Sequence, residues 1–173
     1  MREYYRMIHQ HIYAAAKPGM TEEAFQDYWL NLHAVRFAVH IPQIAKYKLN
    51  LRLPCSIDPN PIWGGCAEIW LRNDKEQLAS MQTPEFLDGA RLDEPNWAAF
   101  WMTAVLDCTT TAMIDGDVPK DAVKLLVMSK RDLSLDVATY RQRRTDELKG
   151  GLGAIPGLLR CDLAFAREGL YAV

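Results

Sequence analysis

Residues 17–34 read Lys-Pro-Gly-Met-Thr-Glu-Glu-Ala-Phe-Gln-Asp-Tyr-Trp-Leu-Asn-Leu-His-Ala, and residues 41–47 read Ile-Pro-Gln-Ile-Ala-Lys-Tyr. Pro18-Gly19 interrupts whatever element precedes it. Thr21 offers a side-chain oxygen as an N-cap, and Glu22 and Glu23 suit the positive end of a helix. Phe25, Tyr28, Trp29, Leu32, Val35 and Val39 recur at three- and four-residue steps, which predicts one buried helical stripe from about Thr21 to His40. Trp29, His33 and Phe37 form an i, i+4 row at its edge. Pro42 stops the helix.

On either side of this helix the pattern changes from a helical period to alternation. Met7 to Ala16 reads as a strand, with Met7, His9, His11 and Tyr13 on one face and Ile8, Gln10, Ile12 and Ala14 on the other. Ala45 to Leu53 alternates likewise: Ala45, Tyr47, Leu49, Leu51 and Leu53 face one way, and Lys46, Lys48, Asn50 and Arg52 the other. Pro54 to Pro61 is rich in turn formers and reads as a loop. Ile62 to Leu71 is a third strand with Glu68 inside it. Asp74 to Met81 is a short helix, Thr83 to Trp101 is helical or irregular with a break near Pro95, and Ala104 to Ile114 is a fourth strand. Strand, helix, strand, strand, helix, strand is an α+β arrangement of the ferredoxin-like, split βαβ type. Helices cover only one face of such a sheet, so a second copy or a second repeat is expected on the other.

The remaining chain reads as part of that second repeat. Val123 to Met128 is an apolar strand candidate. Ser134 to Leu148 is a helix with Val137 and Tyr140 inward. Ile155-Pro156-Gly157-Leu158 echoes Ile41-Pro42-Gln43-Ile44, and a strand from Leu159 to Phe165 comes next. Arg141 and Thr145 stand roughly where Trp29 and His33 stand in the first repeat. The expected organisation is a first domain over residues 1–117 and a partial strand–helix–strand repeat over 118–173.

Composition narrows the function. The chain has 173 residues, 24% charged, and a net charge of −2; its basic residues are scattered, which argues against nucleic acid as a partner. No apolar run approaches the roughly 20 residues of a membrane span. The four cysteines, Cys55, Cys66, Cys108 and Cys161, form no Cys-x-x-Cys pair and read as reduced thiols of a cytoplasmic protein. Gly64-Gly65 and Gly150-Gly151 fit neither a dinucleotide fingerprint nor a phosphate loop, so no cofactor is expected.

The region from Lys17 to Tyr47 resembles the EthD-type family of the dimeric α+β barrel superfamily. The resemblance rests on the 17–21 turn, Phe25, Tyr28-Trp29, His33-Ala34, Ile41-Pro42, Tyr47, Ala67-Glu68-Ile69-Trp70 and Asp93-Glu94, and covers roughly residues 7 to 116. It implies sheets that meet in a barrel within a homodimer, with a ligand cavity between sheet and helices. Relatives of this kind include polyketide cyclases, muconolactone-type isomerases and cofactor-free oxygenases, so the family fixes the fold better than the reaction.

Among the residues that can carry chemistry, His33 titrates near neutrality and can shuttle a proton; the alternative is a hydrogen-bonded histidine that serves packing. His9 and His11 point the same way from one strand. They could join His33 or His40 around a metal, but no acidic residue lies at an obvious ligand spacing, so no metal is expected; a polar cavity wall and a purely structural role are the other readings. Glu68, if buried, would have a raised pKa and could act as acid or base; a salt bridge to Lys46, Lys48 or Arg52 is its structural alternative. Of the adjacent Asp93 and Glu94 at most one could face a cavity, and helix-end solvation is preferred. Tyr13 and Tyr47 could donate to a developing enolate oxygen. The expected activity is that of a cofactor-independent cyclase, dehydratase or lactone isomerase on a small hydrophobic, oxygenated polyketide-type or aromatic-catabolic compound. In that reading His33, His11 and Glu68 are catalytic, and Tyr13, Trp29, Tyr47, His9 and Phe37 bind substrate. A non-catalytic small-molecule-binding accessory protein is the alternative.

Overall fold

The computed structural model describes residues 7–54 and 61–167. The chain divides into two compact units: residues 1–109 with 166–173, and residues 110–165. All but the two ends of the expected 54–61 loop lies outside the described residues. Among the described residues no helix is long and apolar enough to cross a membrane.

Strands β1 (Ile8–Ala14), β2 (Ile44–Leu51), β3 (Gly65–Leu71) and the first half of β4 (Ala104–Asp115, which runs on into the second unit after residue 109) build the sheet of the first unit in the order β2-β3-β1-β4. β3 is antiparallel to both β1 and β2, and β4 is antiparallel to β1. This is the split βαβ order expected from the sequence, and the fold class is α+β. The register sets the two faces. Ile12 pairs with Ala67 and Val105, while His11 pairs with Glu68 and Leu106. Because side chains alternate along each strand, Ile8, Gln10, Ile12 and Ala14 share one face with Ala67, Ile69 and Leu71, and His9, His11 and Tyr13 share the other with Cys66, Glu68 and Trp70.

The helices of this unit pack on the first of these faces. α1 (Glu22–Tyr28) starts where Thr21 accepts a hydrogen bond from the Ala24 N–H. Its Phe25 is fully buried and joins Trp29, Trp97, Ala14, Ala67 and Ala98 in the core. A short α2 (Ala34–Arg36) continues the same helical run. α3 (Asp74–Ser80) is capped by Asn73. It is tied to the sheet by Gln77, which donates to Asp107, which in turn accepts from Gln10. α4 (Arg91–Trp97) comes after a π-helical segment, Glu85–Ala90, and delivers Trp97.

Two expectations need correction. The helix from Thr21 does not keep one period. A π turn over Trp29–His33, in which the Ala34 N–H bonds to the Trp29 carbonyl, separates α1 from α2, and a 3₁₀ turn ends the run at His40. The extra residue rotates the C-terminal part of the run, so His33, Ala34 and Ala38 are buried whereas Val35 and Val39 are about half exposed. In β2 a bulge between Ile44 and Lys46 leaves Ala45 unpaired and exposed, and puts Ile44 rather than Ala45 on the Tyr47 face.

In the second unit, β5 (Arg160–Ala166) is the neighbour of β4 in the strand order, and α5 (Val137–Gly151) is capped by Asp136. Gly157 takes a positive φ of 72° in the turn before β5. The expected strand at Val123–Met128 does not form. That segment pairs with no described strand, and Val123, Leu125 and Val127 are more than three-quarters exposed. An apolar run becomes a strand only when a neighbouring strand takes up its backbone groups. Of the strand, helix and strand expected after residue 118, the helix and the last strand form among the described residues.

Candidate functional site

The first group of chemically competent side chains lies on the helix-covered face. The π turn brings His33 inward, and its Nδ1 lies 2.8 Å from Asp93 Oδ2, with both side chains more than nine-tenths buried. Asp93 Oδ1 also accepts from the Tyr28 hydroxyl at 2.7 Å and from Asn96 Nδ2 at 3.2 Å. Burial pushes the Asp93 pKa up, but these hydrogen bonds from His33, Tyr28 and Asn96 outweigh it, and the net direction is down. An ionised carboxylate can only accept, so Nδ1 of His33 carries the ring proton. Trp97 Nε1, 3.2 Å from the same nitrogen, is then a packing contact, because a protonated Nδ1 has no lone pair to offer. Burial lowers the His33 pKa, and the hydrogen bond and charge of Asp93 restore only part of the loss. The imidazole is therefore biased to neutrality with its lone pair on Nε2.

Aromatic rings adjoin this pair. Trp97 lies 4.7 Å from the imidazole between ring centroids, and Phe37 6.1 Å. Trp29 lies 4.9 Å from Trp97, and its Nε1 donates to the Tyr47 hydroxyl at 3.3 Å. Tyr47 accepts that bond and keeps its own proton for donation; burial pushes its pKa up to about 12. Gly89 allows Phe37 to approach: a Cβ there would come within 3.2 Å of the Phe37 ring. Trp97 of α4 contacts both the imidazole and Trp29, the ring expected beside His33 on the same helix.

The second group lies on the opposite face of the sheet. His9 Nε2 is 3.0 Å from Glu68 Oε2, and His11 Nε2 is 3.1 Å from His9 Nε2. His11 Nδ1 is 3.4 Å from the Tyr13 hydroxyl. Glu68 Oε1 accepts from Asn50 Nδ2 at 2.8 Å. The His9 ring stacks on Trp70 at 4.2 Å with an interplanar angle of 18°. His9, His11 and Glu68 are each buried. Of the cations expected to pair with Glu68, Arg52 pairs with Glu22, and Lys46 lies over the Trp70 ring.

The sheet thus divides the residues singled out in the sequence. His33, Trp29, Tyr47 and Phe37 gather on the helix side. His9, His11, Tyr13 and Glu68 gather on the other, so His33 does not work in one constellation with His11 and Glu68. Asp93 is the partner that sequence reasoning misses. It stands 60 positions from His33 and beside a second acid, a setting that favours the solvated reading. Glu94, its neighbour, is only part-buried, and burial raises its pKa to about 7. Glu68 is recognisable in the sequence, but not as the acid that completes the His9–His11 pair; only the strand register reveals that. The second unit holds a shallow depression of about 260 Å³ near Tyr140, Arg143, Arg144 and Glu147. Its charged lining does not suit the hydrophobic substrate expected from the sequence.

The EthD domain family matches residues 17–100. Among solved structures the chain is similar to an ethyl tert-butyl ether D (EthD) family protein of Bacillus halodurans C-125, at 15% identity over 57% of this chain and 96% of that one, with a TM-score of 0.45. It is similar to a dimeric protein of ferredoxin-like fold from Bacteroides fragilis, at 13% identity over 58% and 93%, TM-score 0.45. It is also similar to a dimeric ferredoxin-like protein from Thermobifida fusca, at 15% identity over 58% and 88%, TM-score 0.43. No curated protein matches the chain.

Proposed function

Since this chain carries an EthD domain over residues 17–100, we propose that it is a proton-transfer enzyme acting on a small, hydrophobic, oxygenated ring compound of the polyketide or aromatic-catabolic kind. The observation that carries this reading is the buried His33–Asp93 pair beside Trp97 and Phe37. In the step proposed, Nε2 of neutral His33 takes a proton from the carbon next to a substrate carbonyl. The C–H electron pair moves into an enolate, and the Tyr47 hydroxyl donates to its oxygen. Asp93 holds Nδ1–H throughout and stabilises the imidazolium that forms. Return of the proton to another carbon gives isomerisation, and its delivery to a departing hydroxyl gives dehydration. Trp29, Trp97 and Phe37 would supply the apolar contact surface. His11 and Glu68 have no part in this step, because they project from the other face of the sheet. Helices cover one sheet face only, so a homodimer belongs to the same proposal; sedimentation of the purified chain tests it.

The activity can be tested without knowing the natural substrate. A panel of aromatic β-diketones and hydroxylated aryl ketones is incubated with protein in D₂O, and deuterium uptake next to the carbonyl is monitored by mass spectrometry. At least one compound should exchange about 10²–10⁴-fold faster with the wild type than with His33→Gln, the range typical of a general base. Enhancement that survives His33→Gln would remove His33 from the role. Compounds that bind tightly with no enhanced exchange would favour a non-catalytic binding protein.

A further inference from the structure

The geometry points to a second site: His9, His11 and Glu68 form a three-ligand centre for one divalent first-row transition cation, on the sheet face opposite His33. One donor atom from each of the three residues lies within 4.8 Å of the others. The two closest separations are 3.0 Å, between His9 Nε2 and Glu68 Oε2, and 3.1 Å, between His9 Nε2 and His11 Nε2. Imidazole and carboxylate donors sit about 2.0–2.2 Å from such a cation, and two donors at right angles around it are then about 3.0 Å apart.

His11 Nε2 stands over the face of the His9 ring, 3.1 Å from Nε2 and 3.4 Å from Nδ1, with the two ring planes at 72°. A cation held by the three residues takes one lone pair from each donor, in place of the His9–Glu68 hydrogen bond and the contact between the two rings.

The surroundings are those of a built site. Trp70 stacks on His9 and fixes its plane. The Tyr13 hydroxyl contacts Nδ1 of His11, and Asn50 holds the second oxygen of Glu68 while also donating to the Cys66 carbonyl. Such outer contacts fix ring tautomer and carboxylate orientation at metal centres. Two imidazoles and one carboxylate suit a borderline cation such as zinc, cobalt or ferrous iron rather than calcium or magnesium, which prefer all-oxygen sites. Three protein ligands also leave coordination positions open to water or a small oxygen ligand.

The test uses the full-length protein, stripped with a chelator and titrated with Zn²⁺ and with Co²⁺. One equivalent of Co²⁺ should bind with ligand-field absorption bands, and Zn²⁺ should displace it. Glu68→Gln and His11→Gln should each weaken binding more than tenfold, and Asn50→Ala, which removes only an outer contact, by about 10–100-fold. Should the first two variants fail to fold, the wild type still decides the matter by NMR. Bound Co²⁺ should shift the ring protons of His9 and His11 strongly and those of His33 far less. Absence of stoichiometric binding by the stripped protein, or paramagnetic shifts centred on His33 or His40, would overturn the assignment.

Discussion

Replacing Asp93 with alanine removes the acceptor of three hydrogen bonds at once, from His33, Tyr28 and Asn96. The His33 bond is buried, so its Nδ1–H loses a charged acceptor in a setting of few alternatives. Hydrogen bonds to a charged group are worth about 1.5–3 kcal/mol each, and those from Tyr28 and Asn96 are only part-buried, so the combined loss should be about 3–5 kcal/mol. For a chain of this length that corresponds to a fall in Tm of about 6–20 °C. Asp93→Asn keeps an oxygen acceptor but not the charge, and should cost about 1–3 kcal/mol. Urea unfolding monitored by circular dichroism at pH 7 gives both numbers. The pH dependence carries a further sign. The Asp93 pKa is lowered in the fold, so its stabilisation is complete above the ordinary carboxylate range and is lost as pH falls through the lowered value. The gap between wild type and Asp93→Asn should therefore be full at pH 7 and close in strong acid. The His33 pKa should drop further in Asp93→Asn, since the carboxylate is what raises it against burial. A cost below about 1 kcal/mol for Asp93→Ala, or a gap that widens in acid, would refute this reasoning.

Three further outcomes rest on the same geometry. Phe25 is fully buried against Trp29 and Trp97, so Phe25→Ala should cost about 3–5 kcal/mol in urea unfolding. Gly65→Ala should cost about 1–3 kcal/mol, because its Cβ would meet the Asn50 carbonyl oxygen at 2.8 Å and the Trp29 ring at 3.0 Å. Glu94 holds its proton to about pH 7 in the fold, against 4.5 ordinarily, so wild-type stability declines as pH rises through that window; Glu94→Gln should gain Tm over wild type at pH 8 and much less at pH 4.5, and the reverse trend would contradict the burial of its carboxyl.

Much of the fold was legible because strands announce themselves by alternation, and four strands with two helical regions admit few topologies. Thr21 was legible as a cap because its side chain acts on the N–H three residues on. The π turn was not legible. It inserts one residue into a sequence whose apolar positions also fit an uninterrupted helix, and only the exposure of Val35 and Val39 shows the difference. Val123–Met128 misled because apolar composition cannot say whether a partner strand exists. His33 was recognisable as a residue type in an aromatic setting, but its partners were not: Asp93 comes from a helix 60 residues away, and that helix also brings Trp97 against the ring. Glu68 and His11 become neighbours only through the β1–β3 register, which no local spacing encodes.

The claim that His33 is a neutral base, held by Asp93 through Nδ1–H with its lone pair on Nε2, is tested most directly by ¹⁵N NMR of the ring-labelled protein. At pH 7 the spectrum should show Nδ1 protonated and Nε2 with a bare lone pair, and the ring should gain its second proton only below the ordinary histidine range. A ring that is cationic at pH 7, or neutral with its proton on Nε2, would contradict the account.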